Sequence, residues 1–91
     1  MSTAFEVVAE PARREILDLL IGGPRAVGEL AAHTGLSQPN TSRHLRILRQ
    51  AGLVESRAEG QRRLYALRAE GFADLARWLT PYVLLWRSGR A

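Results

Sequence analysis

Polar side chains that can read duplex DNA gather on one short stretch of this chain. Between Ser37 and Gln50, Thr41, Leu45 and Leu48 are spaced i, i+4, i+7, which is one face of a helix. With that face packed inward, Gln38, Pro39, Ser42, Arg43 and Arg46 turn outward together near the helix N-terminus. A Gln amide pairs bidentately with adenine and an Arg guanidinium with guanine. Pro39 suits a thymine methyl, Ser42 a base or a phosphate, and Arg46, one turn further on, a phosphate. Asn40 is divided between base contact and helix capping. Ser37 stands at the favoured N-cap, where its hydroxyl accepts an orphan backbone N–H, and it joins the DNA-facing set.

The charge follows the same stretch. The chain has 13 basic residues, all arginine, and 9 acidic ones, a net charge of +4. Residues 37–68 hold seven arginines against Glu55 and Glu59, a balance of +5, while the other 59 residues balance at −1. A basic surface confined to one part of a fold suits a polyanionic partner.

Other chemistries find little support. The chain has no Cys, so disulfides, thiolate metal sites and Cys nucleophiles are excluded. His33 and His44 are its only histidines, on different helices and without a ligand pattern. No nucleophile–base pair, metal set or phosphate loop can be identified, so neither a catalytic residue, a metal nor a cofactor is expected. His44 is read as a packing residue beside Leu45, and Glu15, Asp18 and Glu29 as helix-surface acids. No apolar run approaches the ~20 residues that span a bilayer. Met1–Glu6 lacks the basic start and apolar stretch of a secretion signal, so a cytoplasmic protein is expected.

Ninety-one residues, 46% of them hydrophobic and 24% charged, make one small folded domain with a modest core. Residues 2–9 form an opening segment with Phe5, Val8 and Ala9 as its apolar side. Glu10-Pro11 opens a helix carrying Ala12, Ile16, Leu17 and Leu20, which Gly22-Gly23-Pro24 stops. A further helix holds Val27, Leu30 and Ala31 and closes at Thr34-Gly35. The Ser37–Gln50 helix ends at Gly52. Residues 53–57 and 63–67 then read as two strands, joined by a turn at Glu59-Gly60-Gln61-Arg62. Gln61 and Arg62 at that tip are placed to reach the minor groove or its flanking phosphates.

The last helix, 70–87, places Phe72, Leu75, Leu79, Tyr82 and Trp86 at alternating steps of three and four, a heptad seam. Pro81 inside it implies either a kink or a second helix capped by Thr80. So small a domain cannot bury this seam alone, so Phe72, Leu75, Leu79, Tyr82 and Trp86, joined by Phe5 and Val8, are expected to form a homodimer interface. The expected fold is mainly α with a small β-hairpin, a winged helix-turn-helix in the order α-α-α-α-β-β-α, with residues 1–91 as a single DNA-binding domain.

The same residues resemble the ArsR/SmtB-type bacterial repressors. Ala9–Leu17 is similar to their opening helix and Val27–Ala31 to their first motif helix. Leu36–Leu48 is similar to their recognition helix. Ala51–Val54 and Gly60–Leu67 are similar to their wing. The resemblance implies a dimeric repressor on operator DNA, often of its own operon, with first and last helices pairing across a two-fold axis. The chain departs from the pattern where the metal sensors carry ligands. No Cys pair lies around Glu29–Ala32, and the last helix offers Asp74 but no His. Ala26 and Glu10 replace the usual capping residues, which weakens those helix ends by ~1 kcal/mol each.

The leading expectation is a homodimeric, sequence-specific regulator, a repressor on palindromic double-stranded DNA. Two alternatives stand beside it. One is a winged-helix module that binds protein without reading DNA. The other is a repressor gated by an unknown small molecule bound near the dimer seam, with Trp86 lining the pocket.

Overall fold

A computed structural model describes residues 3–89. Met1, Ser2 of the opening segment, and Arg90 and Ala91 at the end of the expected domain lie outside the described residues. The elements are α1 (Ala4–Val8), α2 (Pro11–Leu20), β1 (Arg25–Ala26), α3 (Val27–Thr34), α4 (Gln38–Gln50), β2 (Val54–Glu59), β3 (Arg62–Leu67) and α5 (Ala73–Arg87), with a 3-10 turn, Ala69–Phe72, before α5.

Local chemistry sets the helix ends. Thr3 Oγ1 accepts the Glu6 amide at 3.3 Å and Glu6 Oε1 accepts the Thr3 amide at 3.2 Å, a capping box that opens α1. Pro11 starts α2, and Glu10 before it makes no side-chain cap. At α3 the glutamate half of a capping box is present: Glu29 Oε1 accepts the Ala26 amide at 3.0 Å. Gly35, at φ +76°, closes α3 in the left-handed region and donates to the Ala31 carbonyl. That reversal turns the chain directly into α4.

The sheet differs from the expected hairpin. It has three antiparallel strands in the order β1-β3-β2, with Arg25 opposite Tyr65 and Ala26 opposite Leu64. Two residues are too few to show a period of two, so β1 leaves no signal in the sequence. The β2–β3 register runs from Val54 opposite Leu67 to Glu59 opposite Arg62. The turn therefore contains only Gly60 and Gln61, and Glu59 and Arg62 close the ladder instead of forming the tip.

The core draws on every helix but α5. Val7, Ile16, Leu17, Leu20, Leu30, Leu45, Leu48, Leu53 and Val54 form one buried cluster. Val7 is a correction to the reading of the opening segment. It is fully buried, whereas Phe5 is 42% exposed. Arg13 Nε donates to the Val7 carbonyl at 2.8 Å, and Arg14 Nη1 donates to Val8 and Ala9 at 2.8 and 3.1 Å. These bonds tie α1 to α2 in the orientation that turns Val7 inward.

The entry to α5 is a tight fit. A Cβ on Gly71 would fall on the Gly52 carbonyl, so only glycine lets the 3-10 turn pack against the end of α4. Helix α5 then runs through Pro81 as one helix. Thr80 does not cap a new helix, because its hydroxyl donates back to the Ala76 carbonyl at 2.6 Å. None of the residues of α5 is buried, and the molecule extends 50 Å along one axis but about half that along the others. Among the described residues, no helix is long and apolar enough to cross a membrane.

Candidate nucleic-acid interface

Helix α4 has two sharply different sides. Thr41, His44, Leu45 and Leu48 are buried. Ser37, Gln38, Pro39, Asn40, Ser42, Arg43 and Arg46 are all exposed, and the structure brings them together over the first two and a half turns. The N-terminal turn is firmly built. Ser37 Oγ accepts the Asn40 amide at 3.2 Å, and Thr41 Oγ1 donates to the Ser37 carbonyl at 2.9 Å. Ser37 is thus a cap in fact, and the Asn40 backbone is the group it caps. The Gln38 amide rests over Gly28 of α3, where a Cβ would stand 3.4 Å from Nε2.

Arg43, Arg46 and Arg49 form no ion pair among the described residues. Three guanidinium groups on one exposed helix, each without a carboxylate partner, make a surface ready for phosphate oxygens and guanine edges. The wing arginines are more engaged. Arg62 Nη2 lies 3.9 Å from Glu29 Oε1, Arg57 Nη2 lies 3.8 Å from Glu59, and Arg63 Nη1 donates to Ser56 Oγ at 3.2 Å. Gln61 is exposed at the tip, while Arg62 is the first residue of β3 and leans toward α3.

A polar contact beneath the exposed face of α4 left no signal in the sequence. Arg13 of α2 places Nη1 3.3 Å from His44 Nδ1 on α4, while its Nε holds the Val7 carbonyl. An arginine only donates, so Nδ1 accepts and the ring proton resides on Nε2. His44 is 6% exposed. Burial holds its pKa below the ordinary 6.5, and the cations of Arg43 and Arg13 push the same way against an opposing pull from Glu10. Arg13 left no signal because one arginine on a helix looks like any surface cation.

The expected dimer residues fall into three groups. Val8 and Phe72 are half-buried against the chain's own core. Leu75 and Leu79 line an open apolar groove of about 620 Å³, with Val8, Leu17, Ile21 and Leu67 on its other walls. Phe5, Tyr82 and Trp86 are exposed, Trp86 at 78%. Trp86 lies outside the lining of this groove within its own chain. Trp78 was overlooked: it meets Phe5 edge-on at 5.8 Å and Tyr82 at 5.0 Å between ring centroids. Its spacing to Tyr82 and Leu85, i, i+4, i+7, is a second apolar stripe that the single heptad seam obscured. Among the described residues, no group of three His, Cys, Asp or Glu side chains could hold a metal ion.

A helix-turn-helix with a polar second helix, followed by a β-wing, defines the winged helix-turn-helix class. The chain belongs to the arsR family of bacterial regulatory proteins, whose profile matches residues 10–56. It is 36% identical over 83 residues to the transcriptional repressor SdpR of Bacillus subtilis, covering 91% of this chain and 92% of that one. A crystal structure of a possible transcriptional regulator for arsenical resistance superposes with a TM-score of 0.83 at 40% identity, covering 90% of this chain and 85% of the other. The homodimeric winged helix-turn-helix DNA-binding domain of Mb0332 from Mycobacterium bovis superposes with a TM-score of 0.72 at 36% identity, covering 89% and 75%. The family is one of transcription regulators, not of enzymes.

Proposed function

We propose that this chain is a homodimeric, sequence-specific DNA-binding repressor that occludes a palindromic operator, its own promoter included, in the cytoplasm. Residues 1–91 act as one DNA-binding domain whose terminal helices join the two copies. One observation carries the reading. The exposed N-terminal half of α4 concentrates Gln38, Asn40, Ser42 and Arg43 over a fully buried opposite face. Gln38 and Arg43 read base edges, while Arg46, Gln61 and Arg62 hold phosphates.

The dimer rests on α5. Its exposed Trp78, Leu79, Tyr82, Leu84, Leu85 and Trp86 form an apolar surface that a lone chain leaves in water. A two-fold pairing of antiparallel α5 helices centred near Leu79 sets the end of one helix against the groove of the other. Asp18 on the rim of that groove and Arg87 at the end of α5 form no ion pair among the described residues. This pairing brings Arg87 of one copy to the groove of the other, where Asp18 stands beside Arg14. Such a dimer presents two α4 helices to half-sites about one helical turn apart.

Selection of bound duplexes from a random DNA pool tests the proposal. A two-fold symmetric consensus supports it, and failure to enrich any sequence contradicts it. The resemblance of SdpR and of the homodimeric Mb0332 domain supports the same reading.

A further inference from the structure

We infer that Arg13 and His44 form a pin that positions the recognition helix, and that protonating His44 releases it and weakens sequence-specific DNA binding. The inference rests on the DNA-reading role proposed for α4 and adds its regulation by acid.

The geometry is specific. One guanidinium reaches two elements besides its own. Arg13 Nε holds the Val7 carbonyl of α1 at 2.8 Å, and Nη1 donates to His44 Nδ1 of α4 at 3.3 Å. The pin therefore sets α4 against α2 at the middle of its buried face, one residue from Arg43. His44 is nearly enclosed, and no other hydrogen bond joins its ring to the described protein.

The contact depends on the neutral ring. With Nδ1 unprotonated, it accepts from Arg13. A proton on Nδ1 would aim one donor at another and set two cations in contact in a poorly solvated place. The charged groups acting on His44 are Arg13 of α2, Glu10 at the N-cap of α2 and Arg43 of its own helix. Arg13 cannot neutralise, so repulsion is relieved only by separating the side chains. Once that contact parts, Arg13 no longer holds α4, which carries Gln38 and Arg43, against α1 and α2.

His44→Gln provides the test. Its side-chain oxygen can still accept from Arg13, and it does not titrate. Affinity for a selected duplex and for a scrambled duplex is measured from about pH 8 to about pH 5.5 for both proteins. In the wild type, affinity for the selected duplex falls severalfold with acid while the scrambled duplex changes little. In His44→Gln that fall is absent. His33, which is exposed, is common to both proteins and cancels in the comparison.

An NMR titration of the His44 ring accompanies the binding curves, and the amide shifts of Arg43 and Leu45 follow its protonation. A wild-type affinity independent of pH, the same slope in His44→Gln, or α4 shifts indifferent to ring protonation each overturns the inference. If the variant does not fold, the wild-type ring and affinity titrations decide: coincident midpoints support the pin and separate ones overturn it. Failure of the wild type to prefer any duplex at about pH 8 overturns the underlying DNA-reading role instead.

Discussion

Glu29 Oε1 accepts the Ala26 amide at 3.0 Å and lies 3.9 Å from Arg62 Nη2, so one carboxylate oxygen both caps α3 and faces the wing beside its turn. Both side chains are largely exposed, and the ion pair is worth no more than ~1 kcal/mol. In the proposed DNA complex, Arg62 exchanges this partner for a phosphate. Glu29→Gln keeps an oxygen for the cap and frees the arginine. It is expected to raise DNA affinity about two- to fivefold at low salt, with the gain shrinking as salt rises. Fluorescence anisotropy across a salt series checks this, and unchanged affinity at low salt would remove Arg62 from the interface.

Arg43 and Arg46 should behave differently although both are exposed on α4. Arg43→Ala is expected to cost ~1–3 kcal/mol on the selected site and to relax preference at one base position. Arg46→Ala should weaken binding to all duplexes alike and reduce the slope of log affinity against log salt by about 1. Parallel salt titrations on selected and scrambled DNA separate the two roles. Equal losses on both duplexes from Arg43→Ala would make it a phosphate contact.

Gly71 tolerates no side chain, because its missing Cβ is the space the Gly52 carbonyl occupies. Gly71→Ala must push the 3-10 turn away from the end of α4, at a cost of ~1–3 kcal/mol. Urea denaturation should show a lower midpoint with a similar slope. The space at Gly28 is ordinary by comparison, and Gly28→Ala should leave stability nearly unchanged.

The proposed dimer predicts a charge-swap result. Asp18→Arg sets like charges opposite each other at the groove rim and should weaken association by about tenfold or more. Arg87→Asp should do the same alone, and the double variant should recover most of the loss. Sedimentation velocity reads the monomer–dimer equilibrium. A dimer indifferent to all three would refute the antiparallel α5 register while leaving dimerisation itself intact.

His44 also links stability to pH. Its folded pKa lies below the ordinary 6.5, so the unfolded chain binds the proton more readily. The stabilisation is fully present above the ordinary value and is lost as pH falls below it. Urea midpoints should therefore decline from about pH 8 to about pH 5, and the portion due to His44 should vanish in His44→Gln.

Much of this architecture could be read from residue spacing. Ile16, Leu17 and Leu20 marked α2, and Thr41, Leu45 and Leu48 marked the buried face of α4, because long amphipathic helices repeat their period several times. Gly35 and Ser37 marked the turn between α3 and α4, since only certain residues fit those positions. What stayed hidden depended on contacts distant in sequence. Strand β1 exists only because β3 offers it a partner. Val7 turns inward because Arg13 and Arg14 grip the end of α1. Trp78 belongs to a second stripe on a helix that is apolar over most of its surface. The exposed face of α4 was legible as a set of residues, but the Arg13–His44 contact beneath it was not, because 31 positions separate the two residues.

The central claim is that two α4 helices, joined through α5, distinguish one DNA sequence from another. It is tested most directly by titrating purified protein against a selected duplex and a scrambled duplex of equal length at about 200 mM salt, with stoichiometry measured in the same samples. The account predicts two chains per selected duplex and much weaker binding to the scrambled one. Equal affinity for both duplexes, or one chain per site, would contradict it.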